Sequence, residues 1–481
     1  MQPGWEEPVT THSQTLDPHL PPELSARTTF GKWTLVRIGL VAASVIGAVA
    51  TWPRYGLPIF TGILALIYLV MTLDRQWLVI RGIRGWSPVK VSDEEALALT
   101  YEQLPPYTVL LPVYDEPNIV QNLVQGVGKL DYPADKLEIL LLVEEDDPHT
   151  LNALHDVAMD KIRVVVVPHS QPKTKPKACN YGMSLPDIRG ELMTIYDAED
   201  LPDPLQLRRA VAAFQRLPTD VGCLQGRLSF YNERENLLTR WFSLEYAQWF
   251  GLILPAVEAA NCVVPLGGTS NHMPAAIWHE VGGWDEFNVT EDADLGVRLA
   301  RSGYRTMILD SETLEEATAD VINWIRQRSR WYKGYLQTMV VHLRHPLTLV
   351  REIGLRSTLR LIGMTGCVPL SSALNVPFGF FMLIWIAGRP EFVNMLFPPV
   401  TYFICMTLFL LGAPLSILVG LICTGALGKQ HLWWAALLAP LYWVLQSIAA
   451  VKAIYQLAFR PSFWEKTVHG LSATPQPEPA A

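Results

Sequence analysis

Residues 192–202 read Leu192-Met193-Thr194-Ile195-Tyr196-Asp197-Ala198-Glu199-Asp200-Leu201-Pro202. An apolar and β-branched run passes directly into an acidic turn. A short apolar run without polar alternation predicts a strand covered on both faces, as in parallel sheets. The same kind of run recurs at 108–113, 138–143 and 163–167, with amphipathic stretches such as 118–130 between them. Strand–helix alternation of this kind implies a mostly parallel sheet with helices on both faces. Ligands of such sheets sit beyond the carboxyl ends of the strands, where the acidic turn falls. Asp197 and Glu199, two residues apart at a strand exit, can meet one hard divalent cation, which takes oxygen ligands. A solvated acidic turn is the competing reading of the motif alone.

Working outward, the 481-residue chain is 50% hydrophobic and only 17% charged, against about 25% charged in ordinary soluble domains. The deficit is local. Residues 33–52, 57–73, 359–387, 400–426 and 431–457 are nearly free of charge over lengths suited to membrane helices. A purely soluble enzyme, a disordered protein and a disulfide-stapled miniprotein are thereby excluded. The net charge of −8 argues against a general nucleic-acid binder. The six cysteines (Cys179, Cys223, Cys262, Cys367, Cys405 and Cys423) are scattered and read as small buried residues.

Residues 1–31 lack apolar periodicity and read as a disordered tail, with no cleavable signal peptide. Residues 32–73 form a hairpin across the bilayer, turning at 53–56. Lys32 and Arg37 before it, and Arg75, Arg81, Arg84 and Lys90 after it, place its outer ends in the cytoplasm. Residues 74–325 read as a polar α/β block, 326–358 as membrane-interface helices, 359–457 as transmembrane helices and 458–481 as a tail. The 359–387 stretch contains Pro369 and Pro377 and reads as one kinked span, an interface helix plus a span, or two tight segments. Three spans after the block put the C-terminus outside and four keep it inside; Arg460 and Lys466 favour inside.

Four further motifs carry chemistry. Gln327-Arg328-Ser329-Arg330-Trp331 falls on a predicted helix; arginines suit pyrophosphate, and tryptophan can stack on a sugar ring. Residues 326–360 hold seven Arg and one Lys against the single acid Glu352, so the segment also reads as a basic helix at the inner membrane surface. Thr290-Glu291-Asp292-Ala293-Asp294 precedes a helical run; its acids suit a helix N-terminus, or one serves as a general base. Lys173-Thr174-Lys175-Pro176-Lys177-Ala178-Cys179-Asn180 is a basic loop before a helix. Gly267-Gly268-Thr269-Ser270-Asn271-His272 is a small-residue turn that lets backbone approach a ligand; no P-loop or GxGxxG is present.

Taken in order, these motifs resemble those of the processive, membrane-embedded glycosyltransferases of family 2, which include bacterial cellulose synthase and hyaluronan synthase. The sequence looks closest to the β-glucan and exopolysaccharide synthase branch, over residues 105–335. The resemblance implies a Rossmann-like, GT-A-type α/β catalytic domain in the cytoplasm, plus about five or six transmembrane helices. The first strand's element is Leu111-Pro112-Val113-Tyr114-Asp115-Glu116, which implies Pro112, Tyr114 and Glu116 at the nucleotide. The second strand ends Glu144-Glu145-Asp146-Asp147 where the family has paired aspartates, which implies Glu144 or Glu145 as the contact to the base. Lys177 belongs to the K-A-G-N element, with Cys179 in place of glycine, and also falls to the nucleotide. Asp197 and Glu199 stand for the D-x-D motif, with Glu for the second Asp, and imply Mg²⁺ or Mn²⁺; Asp197 also faces the nucleotide. Asp292 is implied as catalytic base, Glu291 and Trp331 as acceptor-binding, and Gln327, Arg328 and Arg330 as binding pyrophosphate.

The implied activity is an inverting, processive transfer from a UDP-sugar, UDP-glucose first among them, to a growing β-linked polysaccharide that is moved across the membrane. The expected location is the inner cell membrane, multi-pass, with partners in the donor, the polymer and the bilayer and none in nucleic acid. Only one membrane hairpin precedes the block, fewer spans than in bacterial cellulose synthase. With about 24 residues after Leu457, a fused cyclic-di-GMP-binding domain is not expected. The rival readings are a non-processive enzyme adding one sugar to a lipid, and a non-catalytic nucleotide-sugar-binding subunit or transporter.

Overall fold

The computed structural model describes residues 20–85, 88–115, 126–154, 162–388 and 399–461, with a few single positions besides. The four apolar runs are strands: β1 (Tyr107–Val113), β2 (Leu137–Glu144), β3 (Ile162–Val167) and β4 (Leu192–Ile195). They pair in parallel in the order β3-β2-β1-β4. Side chains alternate across a strand. Val109, Leu111 and Val113 therefore join Ile139, Leu141 and Val143 in one core, while Leu110 joins Leu140, Leu142 and Val165 in the other. Each buried aliphatic side chain is worth about 1.5–3 kcal/mol.

The sheet continues beyond the runs that the sequence displays. β5 (Leu201–Pro202), β6 (Val221–Phe230), β7 (Asn271–Pro274) and β8 (Arg305–Glu315) extend it to eight strands, in the order β3-β2-β1-β4-β7-β6-β8-β5. β7 is antiparallel to both neighbours, and β5 is antiparallel to β8, so the expected parallel sheet is mixed on this side. These strands are polar in composition because their hydroxyl and amide groups pair with one another. Gln206 Nε2 donates to Ser311 and Thr313, and Ser270 and Thr313 share a hydrogen bond of 2.7 Å. Of the amphipathic 118–130 stretch, only 126–130 lies within the described residues.

Among the described residues, four helices are long and apolar enough to cross a membrane: Thr34–Thr51, Pro53–Ile83, Pro346–Gly388 and Pro399–Ala426. A fifth crossing arises only if Gln430–Leu437 and Ala439–Phe459, bent by 65°, count as one span. The first two form the expected hairpin, and a Cβ on Gly56 would lie 2.6 Å from the Ala48 carbonyl, so only glycine admits this approach. Leu40, Val41, Ile46, Ile59 and Ile63 are exposed along it, a surface suited to lipid. The 359–387 stretch is one helical run, and the break in the Pro346–Gly388 segment falls before it, at Gly354, whose φ is 79°.

Ala439–Phe459 lies against the catalytic domain at both ends. Tyr442 donates to Glu245 at 2.6 Å near its start. Past its end, Glu465 pairs with Arg326, and Ser472 donates to the carboxylates of Glu235 and Glu316. The described part of the expected N-terminal tail is likewise docked. Asp285 accepts from the Ser25 hydroxyl and the Ala26 N–H at 2.9 and 2.6 Å, and Arg344 donates to the carbonyls of Pro22, Glu23, Ser25 and Thr28. The segment is held here because the buried Asp285 and the part-exposed Arg344 take up its backbone polar groups.

Candidate active site

A cavity of about 520 Å³ opens at the carboxyl ends of β1, β2 and β4 and runs to the apolar helices. Its walls include Pro112, Tyr114, Glu144, Asp197, Glu199, Glu291, Asp292, Gln327, Arg328, Arg330 and Trp331. Its far side is lined by Arg75, Met364, Ser372 and Gln446. Eleven of the expected site residues thus meet there from five sequence segments. Glu145 and Lys177 are not among the lining residues, and Glu116 lies outside the described residues.

The second strand's acidic end divides its labour. Glu144 is buried and accepts from Lys177 Nζ at 2.7 Å; burial pushes its carboxyl up, and the lysine offsets this. Lys177 also donates to the Pro168 carbonyl at 2.9 Å, so its ammonium is committed to the strand end. Glu145 accepts the His169 N–H at 3.1 Å. Asp146 takes Lys173, whose ammonium stands 4.3 Å from the Tyr114 ring centre. Asp147 caps the next helix through Thr150 N–H and accepts the Asp115 N–H at 2.5 Å. Asn180 pins the 284–286 loop, accepting from Trp284 N–H and donating to the Trp284 carbonyl.

At the exit of β4, Asp197 faces Lys175, which also donates to the Gly268 carbonyl at 2.7 Å. The buried Asp200 accepts the Asp197 N–H at 2.7 Å and the Thr269 hydroxyl, and its Oδ1 has no hydrogen-bond partner among the described residues. Burial, then the charges of Asp197 and Glu199, push the Asp200 carboxyl well up. Glu315, at the end of β8, is raised by burial and by Asp200, Asp197 and Glu199. Four carboxylates therefore crowd one wall. Lys175 and Arg330 oppose them; Arg330 feels Glu291, Asp197, Asp292 and Glu199.

Asp292 stands in the first turn of the Glu291–Arg301 helix, partly open to the cavity. Burial raises its carboxyl to about 6, against the pull of the Ala293 N–H and Lys175. Glu291 beside it is raised by burial and by Asp292. This helix is locked to the Val321–His342 helix. Asn288 donates to Thr338 at 2.9 Å, and His342 meets the buried Asp294 at 2.9 Å. Gly334 permits the contact, since a Cβ there would fall 2.4 Å from the Thr290 side chain.

On the Val321–His342 helix, Gln327 accepts from Thr318 at 3.1 Å. Arg328 forms two hydrogen bonds with Glu245, and its guanidinium stands 4.9–5.8 Å from the ring centres of Trp324, Phe242, Trp331 and Tyr332. Trp331 packs on Phe242 and Tyr246 at the cavity wall. Lys175 lies within the basic loop, whose role the sequence gives to Lys177, and Gly268 lies within the small-residue turn that lets backbone approach a ligand. Glu245 and Glu315 were not singled out from the sequence, and nothing local marks them.

No group of three or more His, Cys, Asp or Glu side chains is arranged to hold a metal ion among the described residues. Two carboxylates at the strand exit, in an acid-rich wall with an orphaned Asp200 oxygen, nevertheless fit a hard cation completed by phosphate oxygens.

The family described as "Glycosyltransferase like family 2" matches residues 105–334. The probable glycosyltransferase YdaM of Bacillus subtilis is 25% identical over 255 residues, 52% of this chain and 60% of that protein. The probable glucomannan 4-beta-mannosyltransferase 7 of Oryza sativa subsp. japonica is 27% identical over 256 residues, 52% of this chain and 43% of that protein. The chain thus spans about half the length of these relatives. In fold, the mannosyltransferase PcManGT of Pyrobaculum calidifontis, solved with GDP-Man and Mn²⁺, superposes with a TM-score of 0.50 at 17% identity, covering 80% of this chain and 99% of that one. With its strand order, its acidic strand exit and this match, the segment 105–334 is a glycosyltransferase family 2 domain on a GT-A-type fold.

Proposed function

We propose that the protein is a processive, inverting glycosyltransferase that polymerises a nucleotide-sugar, UDP-glucose first among them, into a β-linked polysaccharide at the inner cell membrane and moves it across the bilayer. One observation carries this reading: a single cavity joins Asp197, Arg330, Asp292 and Trp331 and continues to the apolar helices at Ser372 and Gln446. A donor site alone does not need a wall shared with membrane helices.

In this reading the donor's diphosphate lies between the β4 exit and Arg330. Asp197 and Glu199 would hold Mg²⁺ or Mn²⁺, which when bound neutralises the charge of the departing nucleotide. Tyr114 and Glu144 border the nucleotide end. Asp292 removes the proton from the acceptor hydroxyl. Its carboxyl, raised towards neutrality by burial, suits a base that must release the proton again. The acceptor oxygen attacks the anomeric carbon opposite the leaving diphosphate, so an α-linked donor gives a β-linkage. Trp331 stacks on the acceptor sugar, and Glu291 contacts its hydroxyls. We assign Arg330 to the diphosphate; Arg328 acts on Trp331 from behind, as its pairing with Glu245 supports.

A GDP-mannose donor is the second reading, favoured by the rice relative and by the GDP-Man of the archaeal structure. Purified protein is incubated with radiolabelled UDP-glucose, other UDP-sugars and GDP-mannose, and the products are sized and linkage-mapped. A long β-linked polymer from UDP-glucose is expected. A single sugar on lipid overturns processivity, and turnover of none of these donors overturns the reading as a whole.

A further inference from the structure

Lys175 stands at the first position of the Lys175–Met183 helix, whose preceding residue, Thr174, donates to the Glu286 carbonyl at 3.1 Å. The helix start is therefore fixed, and only the flexible stem of Lys175 can move. Its ammonium is held by two oxygens, Asp197 Oδ1 and the Gly268 carbonyl. Gly268 also borders the base, since a Cβ there would lie 3.5 Å from Asp292 Oδ2 and 3.8 Å from Lys175 Nζ. One lysine thus sits at the junction of the acidic strand exit, the small-residue turn and the catalytic acid pair.

We propose that Lys175 is a positioning residue that withholds Asp197 from a divalent cation until the donor arrives, so that cation and diphosphate are taken up together. The inference rests on the nucleotide-sugar reading above. An ammonium at hydrogen-bond distance from Oδ1 repels a second cation at the same oxygen. A diphosphate offers that ammonium several charged oxygens at once, and Lys binds phosphate as a mobile point charge. The Gly268 carbonyl is the second anchor about which the ammonium swings. Once it leaves Asp197, the carboxylate is free to ligate.

The test is Mn²⁺ binding, followed by the loss of the free-ion EPR signal, on the detergent-purified full chain with and without UDP. Wild-type protein is expected to bind Mn²⁺ at least about tenfold more tightly with UDP than alone. Lys175→Met is expected to bind Mn²⁺ alone at least about tenfold more tightly than wild type alone. Lys175→Arg, which keeps the charge, is expected to restore the dependence on UDP. Lys175→Gln replaces the methionine variant if that does not purify folded. Equal Mn²⁺ affinity of wild type with and without UDP overturns the proposal, as does a neutral variant that binds Mn²⁺ alone no better than wild type. Failure of UDP to bind under any condition overturns the donor reading instead, and the comparison of wild type with Lys175→Met in Mn²⁺ alone still decides the role of Lys175.

Discussion

Arg328 and Glu245 meet through two hydrogen bonds of 3.1 and 2.5 Å, joining the helix that carries Trp331 to the Leu237–Gln248 helix. Tyr442 adds its hydroxyl to both partners, so a C-terminal helix is bound to the same node. Glu245 is part-exposed while Arg328 is buried, so removing Glu245 leaves the guanidinium uncompensated at a cost below the about 3–5 kcal/mol of a fully buried pair. Glu245→Ala is expected to lower the thermal unfolding midpoint and to cut polymer yield, while UDP affinity changes little. Equal weakening of UDP binding would falsify the assignment of Arg328 to the acceptor side.

Asp292→Asn should abolish transfer, by about 10²-fold or more, and leave UDP binding near the wild-type value. Because burial raises the Asp292 carboxyl to about 6, the base is protonated below that pH. Transfer rate should therefore climb as pH rises through about 6 and level off above it. A rate that is flat from pH 5 to 8 would remove Asp292 from the proton transfer.

Trp331→Ala should reduce polymer synthesis more than donor hydrolysis, since the ring packs on Phe242 and Tyr246 at the cavity wall, where the proposed function seats the acceptor sugar. Parallel assays of polymer and of UDP release separate the two; equal loss counts against an acceptor role.

Gly334→Ala forces a methyl group to within 2.4 Å of Thr290, next to Glu291 and Asp292. Overpacking of this kind costs about 1–3 kcal/mol. A lower unfolding midpoint and a slower transfer at unchanged UDP affinity are expected. Wild-type values for both would mean that the two helices are not held in this register.

Both ends of Ala439–Phe459 reach catalytic-domain side chains, so residues beyond Phe459 are expected on the catalytic domain's side of the membrane. A cysteine introduced at Ser472 should be shielded from an impermeant thiol reagent in right-side-out cells and labelled after permeabilisation. Labelling in intact cells would mean that this helix crosses the bilayer.

The sheet was legible where burial is apolar. β1 to β4 announce themselves because both faces are covered by aliphatic side chains. β6 and β8 do not, because Gln225, Ser229, Ser311 and Thr313 are buried by pairing with other polar groups, and register shifts interrupt their ladder. The acidic exit of β4 and the Gln327–Trp331 motif were legible because their chemistry is concentrated within a few residues.

Local sequence determined the four apolar strands β1 to β4, which helices are apolar enough for lipid, and which acids and arginines stand near the strand exits. These follow from short-range periodicity and composition. Only tertiary structure decided what each charged group does. It turned Arg328 to Glu245, Lys177 to Glu144 and Lys175 to Asp197, and it docked the N-terminal segment on Asp285 and Arg344. The physical reason is that a buried charge takes the nearest compensating charge in space, and that partner lies on another element, 22 to 83 residues away for the three pairs.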